Sequence, residues 1–232
     1  MKAIMEPSNS TMDDWEQLWA PHDEPTYRAV LAAIRPEDRV LEIGAGDLRL
    51  AVRAAAIARQ VYAIEFQTAL LAQVPEESLP GNLVVVPRDA RYVPFPPDIT
   101  TAVLLMRHCN HFSLYVKKLQ AVGCRKLITN ARWRTGLEHI DLNASRLPYE
   151  NLELGWFACL CGSAGFKTGP VEQLTEDVSR TTVEVMDCPG CLIPIKDWKV
   201  GQEVNPKLGD LSSNLESFEG PTTLFLEGAR AK

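Results

Sequence analysis

Hydrophobic positions fall into two alternating regimes along the chain. Apolar runs of four to eight residues recur at 40–43, 60–64, 83–86, 99–106 and 126–130. Runs this short, closed by Gly, Pro or charged residues, predict buried strands. The stretches between them repeat at helical spacing. Tyr27, Val30, Leu31 and Ile34 form one stripe, which Asp23-Glu24-Pro25 opens and Pro36 closes. Leu50 to Ala58 is an Ala-rich helix, and Thr68 to Val74 and Ser113 to Ala121 are two more. Upstream, Trp15, Leu18 and Trp19 mark a shorter helix before Pro21. Strands alternating with helices predict a doubly wound α/β domain with a mostly parallel sheet. The unbroken run Ile99 to Met106 predicts its central strand, buried on both faces.

The chemistry gathers where strands end. After Val40-Leu41-Glu42-Ile43, the turn Gly44-Ala45-Gly46 leads into a helix. Glycines there let the backbone approach a ligand closely, as in nucleotide sites. The dinucleotide fingerprint would need a third glycine at Arg49, and Asp47 adds a carboxylate where a pyrophosphate would sit. A nicotinamide oxidoreductase is therefore a minor reading. Glu65, ending the second strand about twenty residues past the glycines, suits the two ribose hydroxyls of a nucleoside.

Glu42-Ile43-Gly44-Ala45-Gly46 resembles motif I, (D/E)-x-G-x-G-x-G, of the class I (Rossmann-like) S-adenosylmethionine-dependent methyltransferases, with Leu48 in place of the last glycine. The segment from Asn82 to Phe95, with Asp89-Ala90 at its centre and Val93-Pro94-Phe95 after it, resembles that family's adenine-binding segment. The resemblance implies a sheet of seven strands whose last is an antiparallel hairpin strand. It implies S-adenosylmethionine as cofactor, bound by Glu42, Gly44, Ala45, Gly46, Glu65, Phe66, Asp89, Ala90 and Arg107. Asp89 would receive the adenine amine, and Phe66 could lie on the ring. Residues 1–35 would form an N-terminal helical arm, in which Trp15, Trp19, His22 and Tyr27 are lid candidates. Residues 36–172 would form the cofactor-binding core, and 173–232 would complete the domain as a Cys-containing extension.

Arg107-His108-Cys109-Asn110-His111 follows the central strand at the mouth of this site. His108 and His111 are its candidate catalytic residues, since imidazole can act as a general base near neutral pH. The cluster is not the N/D-P-P-Y/F motif of amino-methylating nucleic-acid enzymes. The chain has 232 residues, a formal charge of −6 and a pI near 5.3. An acidic balance disfavours nucleic-acid partners, so a small polar metabolite is the expected methyl acceptor. RNA or protein methylation is the alternative, and a non-catalytic binding or scaffold role with a degenerate turn is a third reading. A basic patch around Lys117, Lys118, Arg125, Lys126, Arg132 and Arg134 would favour RNA. No apolar leader or membrane-length run is present, so the expectation is a soluble cytoplasmic protein.

Six cysteines in a reducing compartment point to thiols or metal ligands rather than disulfides. Cys188-Pro189-Gly190-Cys191 has the form of a metal knuckle, and Cys159 and Cys161 could complete a four-thiolate zinc site. Residues 154–166 resemble the family's last helix and the turn after it, and on a helix Cys159 and Cys161 would diverge. Buried free thiols and a redox C-x-x-C are the competing readings.

Overall fold

The computed structural model describes residues 22–107, 109–132 and 136–192. Trp15, Trp19, His108, Arg134 and residues 193–232 of the expected extension lie outside the described residues.

The first helix, α1 (Glu24–Ala32), starts where the acids and Pro25 predict, with the Asp23 carboxylate accepting from the Thr26 N–H at 2.9 Å. There follow β1 (Arg39–Ile43), α2 (Arg49–Ala55), β2 (Gln60–Ile64), α3 (Thr68–Leu71), β3 (Leu83–Val86), β4 (Thr101–Leu104), α4 (Phe112–Ala121), β5 (Lys126–Thr129) and β6 (Glu138–Asp141). The strands form one sheet in the order β3-β2-β1-β4-β5-β6, parallel except for β6. Alternate residues of β1 face two different cores. Leu41 and Ile43 pack with Leu104 and the α4 residues Tyr115 and Leu119. Val40 packs with Val30 of α1 and Leu50 and Ala54 of α2. That division is what winds helices onto both faces of the sheet.

A second, four-stranded sheet follows in the order β7-β10-β8-β9, from β7 (Leu147–Pro148), β8 (Gly155–Cys159), β9 (Ala164–Lys167) and β10 (Thr182–Met186). A short helix, α5 (Glu176–Arg180), precedes β10. Among the described residues the main sheet has six strands. One expectation changes here. The stretch 154–166, expected as a helix, is the antiparallel pair β8/β9, with Trp156 opposite Phe166 and their rings edge to face at 5.1 Å. Aromatic and small residues on a pleated surface outweigh the weak helical spacing there. The strands past residue 147 form their own sheet instead of extending the first. No helix among the described residues is long and apolar enough to cross a membrane.

Candidate cofactor site at the strand ends

The turn after β1 is held open by left-handed backbone at Gly44 (φ 75°) and Gly46 (φ 58°). The N–H groups of Gly44 and Ala45 donate to the Ile64 carbonyl at 2.9 and 3.1 Å, tying the turn to the end of β2. A Cβ on Gly44 would stand 3.1 Å from the Met106 side chain, so the turn needs a bare glycine both for its φ and for its neighbour. Leu48, where motif I has its last glycine, keeps the left-handed conformation (φ 65°) and caps α2 with its side chain buried in the core. That geometry costs a leucine ~1–2 kcal/mol, and the burial offsets it. The motif's shape therefore survives the loss of its glycine. Asp47 is turned onto its neighbour, accepting from Arg49 Nε at 2.6 Å.

Three carboxylates stand at the ends of the adjacent strands β1, β2 and β3. Glu42 is only 7 % exposed, and its Oε2 has no hydrogen-bond partner. Burial, with the nearby charges of Asp47 and Glu65, pushes its carboxyl well above the usual range. Glu65 accepts from the Gly46 N–H at 2.8 Å and from the Gln67 N–H at 2.8 Å. Burial raises its pKa despite those backbone donors. Asp89 accepts from Arg91 Nε at 2.8 Å and from the Arg91 N–H at 2.9 Å. Burial would raise it, but the Arg91 hydrogen bonds prevail and hold it below the ordinary value. Phe66, beside Glu65, presents a ring 58 % exposed.

Lys118 of α4 fastens the loop that carries Asp89. Its Nζ donates to the carbonyls of Ala90 and Val93 and lies 4.2 Å from the centroid of the Phe95 ring. Neither Lys118 in this role nor Arg91 as the partner of Asp89 stands out in the sequence, because both depend on how a loop and a helix meet. His111 precedes α4 and is half-buried beside Asp89, Arg91 and Tyr115. Burial and the Arg91 charge lower its pKa, with Asp89 opposing them. The structure thus groups His111 with Asp89.

The other half of the crevice lies over the ends of β4 and β5. His22 Nε2 sits 2.9 Å from the Leu105 carbonyl, which can only accept, so Nε2 carries the proton. Nδ1 is then an acceptor, 3.5 Å from the Asn130 amide nitrogen. That leaves Asn130 Oδ1 buried without a partner. Asn130 sits just past β5 and has no motif around it, which hides it from sequence reading. Arg107 is exposed close to Asp23. A separate cavity of about 920 Å³ opens at the opposite ends of these strands, among Asp38, Thr100, Lys126 and Asp141. Ligands of doubly wound sheets bind at the carboxyl ends, where the glycine turn and the acids are.

The cysteine site also converges. Cys159 ends β8, Cys161 lies in the turn to β9, and Cys188 and Cys191 follow β10. Their four Sγ atoms lie within 4.8 Å of one another.

Residues 24–130 match the family model of the ribosomal RNA adenine dimethylases. The matched segment runs from the start of α1 to Asn130 and holds the crevice residues named above except His22 and Asp23. No curated protein sequence matches the chain. Among solved structures, the chain is similar to a precorrin-8w decarboxylase of Methanobacterium thermoautotrophicum (18 % identity, TM-score 0.41, 47 % of this chain and 63 % of that one). It is also similar to the 23S rRNA methyltransferase ErmE (26 % identity, TM-score 0.40, 47 % and 46 %). A third is a dimethyladenosine transferase of Plasmodium falciparum (23 % identity, TM-score 0.41, 46 % and 41 %). The chain spans less than two thirds of the length of each.

The residues present fit S-adenosylmethionine. The unpartnered Glu42 oxygen suits a ligand that brings a positive charge and N–H donors, and this one carries both a sulfonium and an α-ammonium. The glycine turn offers bare backbone beside it, and two further carboxylates line the same strand ends, Glu65 bonded to backbone N–H groups and Asp89 to Arg91. With the acids on three successive strand ends and the family match over the same residues, it is the segment 24–130 that is similar to the class I S-adenosylmethionine-dependent methyltransferases.

Proposed function

We propose that this chain methylates RNA in the cytoplasm, using S-adenosylmethionine as donor. The observation that carries the substrate class is the match of residues 24–130 to the ribosomal RNA adenine dimethylases. It favours RNA over the small polar metabolite suggested by the acidic composition. When bound, S-adenosylmethionine supplies a methyl group on a positively charged sulfur, an electrophile that needs alignment and dryness more than activation.

The chain's own residues supply those two things. Glu42, Glu65 and Asp89 fix the donor over β1, β2 and β3, and His111 and Tyr115 wall its adenine side. Arg91 leaves Asp89 for solvent or phosphate as the adenine amine takes its place. Over β4 and β5, Asn130 Oδ1 accepts an N–H from the target base, and the His22 ring holds the Asn130 amide in the orientation that presents that oxygen. The 107–110 stretch, Arg107-His108-Cys109-Asn110, lacks the N/D-P-P-Y/F arrangement. The target base is accordingly held by Asn130 and His22 rather than by a proline-stiffened loop.

Incubation with tritiated-methyl S-adenosylmethionine and total cellular extract, fractionated into RNA, protein and small molecules, tests this. Label is expected in the RNA fraction, sensitive to ribonuclease and absent with Asp89→Ala. That substitution is also expected to weaken S-adenosylhomocysteine at least tenfold (~1.4 kcal/mol) in calorimetry. Label confined to small molecules would return the metabolite reading, and folded wild-type protein that binds no S-adenosylhomocysteine would sink methyl transfer altogether.

A further inference from the structure

We infer that Cys159, Cys161, Cys188 and Cys191 hold one structural zinc ion that organises the second sheet and braces the start of α4. The argument is geometric. A tetrahedral zinc with four thiolates has Zn–S bonds of about 2.3 Å, which places its sulfurs about 3.8 Å apart. Here Cys159 and Cys191 are 3.5 Å apart at Sγ, Cys161 and Cys188 3.4 Å, and Cys188 and Cys191 3.8 Å. All four sulfurs share one volume, since no pair exceeds 4.8 Å. Two disulfides would need only two close pairs, whereas one ion needs all four sulfurs around a point.

The backbone builds both halves of the site. Cys191 N–H donates to the Cys188 carbonyl at 2.9 Å, closing the Pro189-Gly190 knuckle. Across from it, Gly162 N–H donates to the Cys159 carbonyl at 3.0 Å and Cys159 N–H to the Ser163 carbonyl at 2.9 Å. This tight turn brings the C-x-C pair together, which a helix would have prevented. The two turns meet so closely that a Cβ on Gly190 would lie 1.9 Å from Ser163 Oγ. Cys159 and Cys188 are buried beside Leu152 and Val185, and four protein sulfurs leave no open coordination position. A closed set of this kind is structural rather than catalytic.

The site reaches the crevice through packing. A Cβ on Gly162 would stand 3.3 Å from Phe112, the first residue of α4 and the neighbour of His111. A metal that fixes the Cys159–Gly162 turn therefore fixes what Phe112 rests on.

Full-length protein purified without chelator and analysed by mass spectrometry for metals is expected to carry about one zinc per chain. Exchange with Co(II) is expected to give the visible ligand-field bands and sulfur-to-cobalt charge-transfer bands of a tetrahedral thiolate site. Cys191 is the exposed member, so Cys191→Ser is the variant least expected to unfold the chain, and it should lose the zinc and those bands. Cys109→Ser and Cys124→Ser should keep both. Peptide mapping under non-reducing conditions should find all six thiols free after metal removal. Absence of metal with no cobalt spectrum, a disulfide among the four, or zinc retained in Cys191→Ser would each overturn the assignment.

Discussion

Glu42 carries an unusual burden for one residue: a carboxylate with almost no exposure and one oxygen without a partner. Its folded-state pKa stands well above the ordinary 4.5. A raised pKa means that the folded chain holds a proton the unfolded chain has released. The contribution to stability is therefore full below the unfolded value and is lost as pH climbs toward the folded one. Glu42→Gln removes that loss, so it should raise the melting temperature of the ligand-free protein near neutral pH and change little near pH 4. Ligand binding should show the opposite preference, because a cationic ligand needs the ionised carboxylate. Wild-type affinity for S-adenosylhomocysteine should rise with pH as Glu42 gives up its proton, and in Glu42→Gln it should be weaker and lose that component of its pH dependence. Equal affinity in the two proteins would remove Glu42 from the site. The importance of this acid was legible in the sequence, since it sits two residues before a glycine turn. Its unpartnered state was not, because that depends on which side chains the fold brings near it.

At the scale of elements, the strands and helices up to β5 follow from the hydrophobic pattern to within two residues at most boundaries. Alternation is strong there: buried runs for the parallel strands and clear stripes for α1 and α4. Beyond residue 131 the pattern thins, and the fold is set by pairings that no local window contains. Arg132 is the clearest case. It was a candidate for a basic patch, yet its side chain is 1 % exposed and bridges Glu138 of β6 to Glu184 of β10, with Nε 2.7 Å from the Glu138 carboxylate. Burial opposes its charge, but the two carboxylates prevail and keep it cationic. One guanidinium thus ties the second sheet to the segment after Asn130. Arg132→Met should cost about 3 kcal/mol, because it leaves Glu138 without its cation and Glu184 with only Arg146, whose Nε is 3.5 Å away. Urea denaturation measures this directly. Pairing it with Glu138→Gln and Glu184→Gln should restore part of the loss. A loss below about 1 kcal/mol would mean that the pair behaves like an exposed ion pair.

The whole molecule sets the terms on which the proposed RNA substrate would bind. Three of the six basic residues expected to form a patch are committed elsewhere: Lys118 to carbonyls of the 90–93 loop, Lys126 to the Ala33 carbonyl and Asp38, and Arg132 to its two glutamates. Lys117 and Arg125 are exposed, and Arg134 lies outside the described residues. Arg49 and Arg91 each hold a neighbouring aspartate. Arg88, just before Asp89, and Arg107, close to Asp23, are exposed, on a chain whose formal charge is −6. Long-range attraction to a phosphate backbone is accordingly weak, and recognition must rest on the pocket that receives the base. Two phosphate contacts on single-stranded RNA predict a slope of about −1.4 for log affinity against log salt. Fluorescence anisotropy of a labelled RNA across a potassium chloride series measures it. Arg107→Gln should lower affinity at low salt and flatten the slope by about 0.7, while S-adenosylhomocysteine binding provides a check that the crevice stays intact. A wild-type slope steeper than about −4 would require some six phosphate contacts. Arg88 and Arg107 cannot supply that many contacts, so such a slope would place most of the RNA-binding surface on other residues of the chain.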